Sequence, residues 1–154
     1  MLVAALLVGL GVRTFVIRSL TVSSSSMRPT LCPGDRVLVN LWDPDLGDLQ
    51  RDDLVALRPG SDEVPVVKRV VGLPGDRVAI RDGKLFVNSE LIQEPYVNRE
   101  SVDSLFYGPV VVPDDRFLVL GDARETSIDS RAYGPVRSDG LIGRVVLRLP
   151  LGEC

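Results

Sequence analysis

The sequence contains the run Val64-Pro65-Val66-Val67-Lys68-Arg69-Val70-Val71, in which two basic residues interrupt a series of valines. If the run forms a β-strand, successive side chains point to opposite faces, so Lys68 shares a face with Val66 and Val70. Burial among aliphatic side chains disfavours the charged form of an amine, which lowers the pKa of a lysine and can turn it into a base near neutral pH. The run therefore predicts a buried strand that carries a candidate general base.

Short apolar runs separated by glycine, proline and aspartate continue on both sides of this strand, a pattern typical of all-β domains. We predict strands over residues 36–41, 54–57, 66–73, 77–80, 84–88, 116–120 and 141–149. An Asp-Gly pair at 82–83 joins the fourth and fifth strands as a tight hairpin, and residues 89–115 are expected to form a long surface excursion. The predicted fold class is mostly β, an antiparallel barrel or sandwich of short strands preceded by an N-terminal membrane-anchor helix.

The N-terminal residues 1–12 are all apolar or glycine, and Phe15, Val16 and Ile17 prolong this segment beyond Arg13. A helix of that length spans about 18 Å, whereas the hydrocarbon core of a bilayer is about 30 Å thick. We therefore expect an uncleaved or truncated membrane anchor over residues 1–18, with a cleaved secretory signal as the alternative. A single folded domain is expected over residues 19–154.

Composition argues against several classes of partner. The net charge of -3, with acidic and basic residues interleaved, gives no basic footprint for nucleic acid. Histidine is absent and the two cysteines are distant in sequence, so we expect no metal site and no cofactor. Cys32 and Cys154 could pair in an oxidising compartment, but because Cys32 follows a turn and Cys154 is the last residue, we expect free thiols.

A hydroxyl-rich turn precedes the first predicted strand, Ser23-Ser24-Ser25-Ser26-Met27-Arg28-Pro29. Pro29 has a fixed φ and restricts the residue before it, so it braces a bend directly after the serines. A serine-rich loop is also common as a solvated linker. The presence of Lys68 favours the other interpretation, in which one serine and the lysine form a catalytic pair.

Three blocks, in this order, resemble the motifs of the bacterial type I signal peptidases, which are membrane-bound serine–lysine proteases. The first is Ser24-Ser25-Ser26-Met27-Arg28-Pro29-Thr30-Leu31 with residues 34–39, the second is residues 68–76, and the third is residues 121–136. The resemblance implies that Ser26 is the nucleophile and Lys68 the general base. It also implies an oxyanion hole made by the backbone N–H of Ser26 and the hydroxyl of Ser24.

The third block supplies supporting groups by the same resemblance. Ser127 corresponds to the hydroxyl that orients the lysine amine, and Asp129 and Arg131 resemble a supporting ion pair, for which a plain surface salt bridge is the alternative. We interpret Asp122 as scaffold, because a carboxylate too near the amine would raise its pKa. The sequence departs from the family at Ala123, where asparagine is usual, and at Asp52, where glycine is usual.

An extended peptide laid along a strand edge would gain main-chain hydrogen bonds, while shallow apolar pockets select alternate side chains. In the family, these pockets accept alanine-like residues at the first and third positions before the cut. The corresponding walls here would be Met27, Leu31, Val66 and Val67, each of which is equally compatible with a place in the core.

The resemblance implies an endopeptidase over residues 19–154 that removes signal peptides from exported precursors after small residues. The precursors and the lipid bilayer are its expected partners, and its expected location is the cytoplasmic membrane, single-pass, with the catalytic domain on the outer face. Alternatives are a relative specialised for one substrate, a self-cleaving serine–lysine regulator, and a catalytically silent β domain that binds exported peptides. No DNA-binding domain is visible for a regulator, and Ser26, Lys68 and Ser127 argue against silence.

Overall fold

The computed structural model describes residues 17–41, 48–59, 64–98, 102 and 105–154. These ranges contain eleven β-strands, one short α-helix and one 3₁₀ turn. In chain order they are β1 (Ile17–Thr21), β2 (Arg36–Asn40), β3 (Leu54–Leu57), β4 (Val66–Gly72), β5 (Arg77–Arg81), β6 (Lys84–Val87), β7 (Glu90–Leu91), β8 (Tyr107–Val111), β9 (Arg116–Leu120), α1 (Ser130–Tyr133), β10 (Val136–Arg137), the 3₁₀ turn (Ser138–Gly140) and β11 (Leu141–Leu149).

The strands form two antiparallel sheets. The larger has the order β1-β2-β11-β3-β4-β9-β10 and the smaller has the order β7-β6-β5-β8. This architecture confirms the prediction of a mostly β fold built from short antiparallel strands. The expected anchor helix falls mainly on residues 1–16, which lie outside the described residues. Ile17 and Arg18, which the expected anchor included, belong to β1 and pair with Asn40 and Val39 of β2. None of the helices in the described ranges is long and apolar enough to cross a membrane.

Strand β4 lies inside the larger sheet and contributes to three hydrophobic clusters. Val71 packs with the smaller sheet, Val67 with the core around β2, and Val70 with the core around β3 and β9. Full burial of one valine stabilises a fold by roughly 1.5 to 3 kcal/mol, so these contacts fix the strand on both sides. The packing of the neighbouring valines therefore fixes the position of the Lys68 backbone.

The register of β4 determines which loop approaches Lys68. Val55 of β3 lies opposite Lys68, and Leu120 of β9 lies opposite Arg69. Because the pairing of β4 and β9 is antiparallel, the residue that follows Leu120 lies alongside Lys68. The loop that begins at Gly121 thus starts next to the candidate base.

The excursion expected over residues 89–115 contains two strands that the sequence pattern did not indicate. β7 is two residues long, and β8 pairs with β5 at the edge of the smaller sheet. Pro109 lies in β8, and proline is tolerated in edge strands because one side of such a strand needs no ladder hydrogen bonds. An edge strand with a proline lacks the clear alternation on which the other predictions depended.

The expectation of free thiols is wrong, because Cys32 and Cys154 form a disulfide with their Cα atoms 5.1 Å apart. β11 runs beside β2, which returns the end of the chain to the turn that contains Cys32. The buried carboxylate of Asp35 then accepts hydrogen bonds from the backbone N–H groups of Leu151 and Gly152, at 3.0 and 2.9 Å. The two cysteines are 122 positions apart in the sequence, and only the antiparallel pairing of β11 with β2 brings them together.

Candidate active site

Ser26 lies on the turn that follows β1 and is 8% exposed. The backbone N–H of Leu31 donates to the carbonyl of Met27 at 2.8 Å, and both side chains are buried in the core. The carbonyl of Ser26 itself accepts from the backbone N–H of Ala123 at 3.0 Å. The turn is consequently fixed from below by packing and from the side by the loop after β9.

The amine of Lys68 reaches this turn from β4. Its Nζ lies 2.8 Å from Ser26 Oγ and 3.0 Å from Ser127 Oγ, and the residue is only 3% exposed. Ser24 Oγ lies 3.1 Å from Ser26 Oγ, on the same turn. Three hydroxyl groups and one amine therefore form a continuous hydrogen-bonded cluster.

Burial lowers the pKa of Lys68, and the guanidinium of Arg131 lowers it further, while the carboxylates of Asp129 and Asp122 oppose this effect. Each of these carboxylates forms an ion pair with an arginine. Arg131 Nε lies 2.8 Å from Asp129, and Arg69 Nη2 lies 2.6 Å from Asp122. Because their charges are neutralised locally, they do not cancel the effect of desolvation, and the amine is poised to lose its proton more readily than an exposed lysine.

The Asp129–Arg131 pair is not a plain surface salt bridge. The side chain of Asp129 is fully buried and that of Arg131 is 14% exposed. Asp129 caps helix α1 by accepting from the backbone N–H of Arg131, and it also accepts from the N–H of Gly121 at 3.0 Å. Arg131 donates to the carbonyls of Ser127 and Arg124, at 3.2 and 2.7 Å. The pair thus closes the loop on which Ser127 is carried.

Asp122 and Arg69 form a second buried pair, with Arg69 Nε and Nη2 at 2.8 and 2.6 Å from the two carboxylate oxygens. Thr30 Oγ1 donates to the same carboxylate at 2.5 Å. The interpretation of Asp122 as scaffold therefore agrees with its geometry. Each of these three residues lies within five positions of a member of the hydroxyl–amine cluster, so the pair ties the nucleophile turn, β4 and the loop together.

Gly121 is required by close packing at the centre of the cluster. A Cβ at this position would overlap the side chain of Ser127 and the carbonyl of Ser26. Only glycine leaves room for the loop to pass against the nucleophile turn.

A groove runs beside the cluster and is lined by residues 20–24, Met27 and residues 65–67. It contains three of the four residues expected to form pocket walls, namely Met27, Val66 and Val67. Leu31, the fourth, has no exposed surface and packs in the core with Val37 and Val39. The expectation of a pocket wall is corrected for Leu31: its side chain lies in the core, which was the alternative considered for it, and does not line the groove.

The two departures from the family pattern leave the cluster intact. Asp52 adopts a φ of 76°, a left-handed conformation that favours glycine, and its carboxylate accepts a hydrogen bond from the hydroxyl of Tyr96 at 2.6 Å. Ala123 contributes to the site through its backbone N–H, which any side chain leaves available.

Three contributing residues were missed by sequence reasoning: Glu94, Tyr96 and Arg124. Glu94 and Arg124 form a buried ion pair, and the ring of Tyr96 lies 3.7 Å from the guanidinium carbon of Arg69. Arg124 stands inside the third block, which was a signal that it has a structural partner. Nothing in the pattern of residues 89–115 indicated that Glu94 and Tyr96 would be those that reach the loop and β4.

Comparisons with known proteins identify the family of the chain. The sequence model of the family described as "Signal peptidase, peptidase S26" matches residues 1–150. The chain is 38% identical to the "Probable signal peptidase I-2" of Synechocystis sp., over 96% of this chain and 69% of that protein. It is 37% identical to "Signal peptidase I S" of Bacillus subtilis, over 84% of this chain and 74% of that protein.

A solved structure supports the same conclusion. The crystal structure of a signal peptidase I from Enterococcus faecalis V583 matches with a TM-score of 0.56 and 29% sequence identity, covering 64% of this chain and 97% of that chain. The fold and the matches define the class as a serine endopeptidase. The chain belongs to the signal peptidase family, peptidase S26.

Proposed function

We propose that this signal peptidase I uses Ser26 as its nucleophile and Lys68 as its general base. The observation that carries the proposal is a buried amine, 3% exposed, at 2.8 Å from the hydroxyl of Ser26. Burial lowers the pKa of such an amine and so favours its neutral form, and a base must be neutral and within hydrogen-bond reach of the proton that it removes.

The reaction then follows from the cluster. Neutral Lys68 takes the proton of the Ser26 hydroxyl while Oγ attacks the scissile carbonyl carbon. The backbone N–H of Ser26 and the hydroxyl of Ser24 donate to the developing oxyanion, and one such donor is typically worth about 3 to 4 kcal/mol of the barrier. The lysine ammonium gives its proton to the leaving amine, and the resulting acyl-enzyme is hydrolysed by a water that Lys68 activates in turn.

Ser127, Asp129 and Arg131 act in support of the base. The hydroxyl of Ser127, 3.0 Å from the amine, fixes the direction of the lysine side chain. The Asp129–Arg131 pair holds the segment that contains Ser127, and its two opposite charges leave the pKa of Lys68 governed mainly by burial.

The substrate is a precursor that carries a signal peptide, bound in extended form with small residues before the cut. The groove lined by Met27, Val66 and Val67 supports this proposal, because six of its nine lining residues are apolar and it lies beside the nucleophile turn. A small, mainly apolar groove favours alanine over larger side chains, since a larger group would find no room to bury itself. Neither a metal nor a cofactor is needed for the steps above.

The proposed setting is the outer face of a cytoplasmic membrane, with a single-pass anchor within residues 1–16 and the peptidase domain from β1 onwards. The end of the expected anchor moves back from residue 18, because Ile17 and Arg18 belong to β1. The apolar composition of residues 1–12 supports an anchor in the lipid bilayer. The Cys32–Cys154 disulfide supports exposure of the domain to an oxidising compartment.

A processing assay in detergent tests the proposal. We expect the chain to cleave two unrelated precursors that end in Ala-x-Ala, and we expect Ser26→Ala and Lys68→Ala to abolish cleavage without loss of the β-sheet circular dichroism spectrum. Ser25→Ala is the matched control, because Ser25 is an exposed neighbour on the same turn. Full activity in either cluster variant would refute the assignment of roles, binding without cleavage would indicate a silent binder, and cleavage of one precursor alone would indicate a specialised relative.

A further inference from the structure

A segment outside the three family-like blocks contacts both elements that hold the candidate base. It comprises residues 92–97, directly after β7, and we call it the clamp segment. Its backbone is fixed to the smaller sheet, where the N–H of Ile92 donates to the carbonyl of Leu85 at 2.9 Å, and it turns where the N–H of Val97 donates to the carbonyl of Glu94 at 3.2 Å. Two of its side chains, Glu94 and Tyr96, extend away from the smaller sheet and contact residues that hold the catalytic cluster in place.

Glu94 contacts the loop that carries Ser127. Its carboxylate, in a side chain that is 4% exposed, accepts from Arg124 Nη1 at 3.0 Å and Nη2 at 2.5 Å. The same guanidinium donates through Nε to the carbonyl of Gly121 at 3.0 Å, and the carbonyl of Arg124 accepts from Arg131 at 2.7 Å. Glu94 thus fixes the loop at the residue that packs against Ser127 and at the arginine that pairs with Asp129.

Tyr96 contacts the other element, strand β4. Its ring covers the guanidinium of Arg69, with 3.7 Å between the ring centroid and the guanidinium carbon. Arg69 follows Lys68 directly in β4 and holds Asp122 of the loop. The hydroxyl of Tyr96 donates to Asp52 at 2.6 Å, and the backbone carbonyl of Asp52 accepts from Arg69.

We propose that Glu94 and Tyr96 are positioning residues for the general base, because one segment holds both the strand that carries Lys68 and the loop that carries Ser127. The inference rests on the proposed function of Lys68. It assigns a role in catalysis to the segment that follows the smaller sheet.

The effect on the base follows from what surrounds it. The charged groups that face Lys68 are Asp129 and Asp122 on the loop and Arg131 in helix α1, and burial has the largest influence on the pKa of Lys68. Loosening of the loop would admit water to the amine, and displacement of Arg69 would leave the charge of Asp122 less neutralised. Both changes favour the protonated amine and move its titration to higher pH.

The experiment measures cleavage kinetics and the titration of Lys68 in the full chain. The chain has only two lysines, Lys68 and Lys84, so ¹³C-labelled lysine gives one signal from the cluster and one reference signal from an exposed position on β6. We expect Glu94→Gln and Tyr96→Ala to lower kcat about 10- to 100-fold, since small misplacement of reacting groups has effects of that order. KM should stay unchanged because the groove is lined by other elements, and the Lys68 titration should move to higher pH.

Asp76→Asn is the matched control. Asp76 is also a buried carboxylate paired with an arginine, Arg51, but its other partners are Asn88 and the N–H of Leu73, outside the loop. We expect this variant to lose stability while its kcat and its Lys68 titration stay at wild-type values. If Glu94→Gln changes kcat and the titration no more than Asp76→Asn does, the inference is overturned.

Two additions keep the test decisive. If Glu94→Gln does not fold because Arg124 is left buried without its partner, the double variant Glu94→Leu/Arg124→Met removes both charges, and it should show the same loss of kcat and the same upward titration shift. Wild-type values in that variant would overturn the inference. If the wild-type chain does not cleave precursors, the proposed function fails by itself, and the titration of Lys68 alone decides whether the clamp segment sets its environment.

Discussion

Lys68 and Arg69 are neighbours on β4, and both are buried, yet they have opposite surroundings. Arg69 is held by two hydrogen bonds to the carboxylate of Asp122, and although burial opposes it, this partner raises the pKa of Arg69. Lys68 donates to two hydroxyl groups, and burial lowers its pKa. The alternation of a β-strand thus separates a cation that serves the fold from an amine that can serve chemistry, although one peptide bond joins them.

The largest expected effect comes from replacing Lys68 by arginine, whose side chain stays charged. Lys68→Arg should lower kcat by roughly 10²- to 10⁴-fold, because arginine stays protonated and cannot act as a general base. Single-turnover cleavage of a precursor is the measurement, and Lys84→Arg, on an exposed position of β6, is the matched control that should keep wild-type rates. Retention of activity in Lys68→Arg would mean that the cluster needs only a positive charge.

The next largest effect is expected from removing the carboxylate of Asp122, which pairs with Arg69. Asp122→Asn leaves a buried guanidinium without its charge partner, so the free energy of unfolding should fall by about 3 to 5 kcal/mol, measured by urea denaturation. Asp122 also raises the pKa of Lys68, so its loss should lower that pKa. Since the base must be neutral, kcat/KM rises with pH through the pKa of Lys68, and in this variant the rise should begin at lower pH. A rise at unchanged or higher pH would contradict the electrostatic role of Asp122.

A smaller effect tests the stability cost of burying the amine. Lys68→Met should raise the free energy of unfolding by about 0.5 to 2 kcal/mol at neutral pH while abolishing cleavage, as expected where function requires an unfavourable group. The folded-state pKa lies below that of an unfolded lysine, so the amine destabilises the fold at any pH below the unfolded value of about 10.4. The gain should therefore shrink as pH rises towards that value, and a gain independent of pH would show that packing alone causes it.

The smallest expected effect tests the contacts that the guanidinium of Arg69 makes. Arg69→Lys keeps the charge but loses the two-point contact with Asp122 and the planar stacking on Tyr96. We expect a loss of about 1 kcal/mol in the free energy of unfolding, in line with an ordinary core substitution, and a several-fold loss of kcat. Thermal denaturation and initial rates measure the two. An unchanged Tm would show that a point charge suffices at this position.

The sequence predicted those features that depend on local pattern. The strands at 54–57, 116–120 and 141–149 have the bounds expected from their apolar runs, and the valines around Lys68 indicated the burial that the structure has. The residues alone indicated a pair of one serine and Lys68, and the resemblance to the signal peptidases implied that the serines of this cluster are Ser26 and Ser127.

What the sequence did not predict depends on tertiary proximity. The Cys32–Cys154 bond and the pairing of Glu94 with Arg124 each join segments whose approach is set by sheet order rather than by any nearby residue. Strand β8 was missed because a proline in an edge strand removes the alternation that marks its neighbours.

The disulfide has a topological consequence. It closes the chain from residue 32 to residue 154 into a covalent ring that contains Lys68 and Ser127, while Ser26 lies six positions outside it. Closing a loop of this size lowers the conformational entropy of the unfolded chain and so stabilises the fold by roughly 4 to 5 kcal/mol. Reduction would therefore remove this contribution to stability, while the core packing and the hydrogen bonds that hold Ser26 and Lys68 in the folded chain would remain.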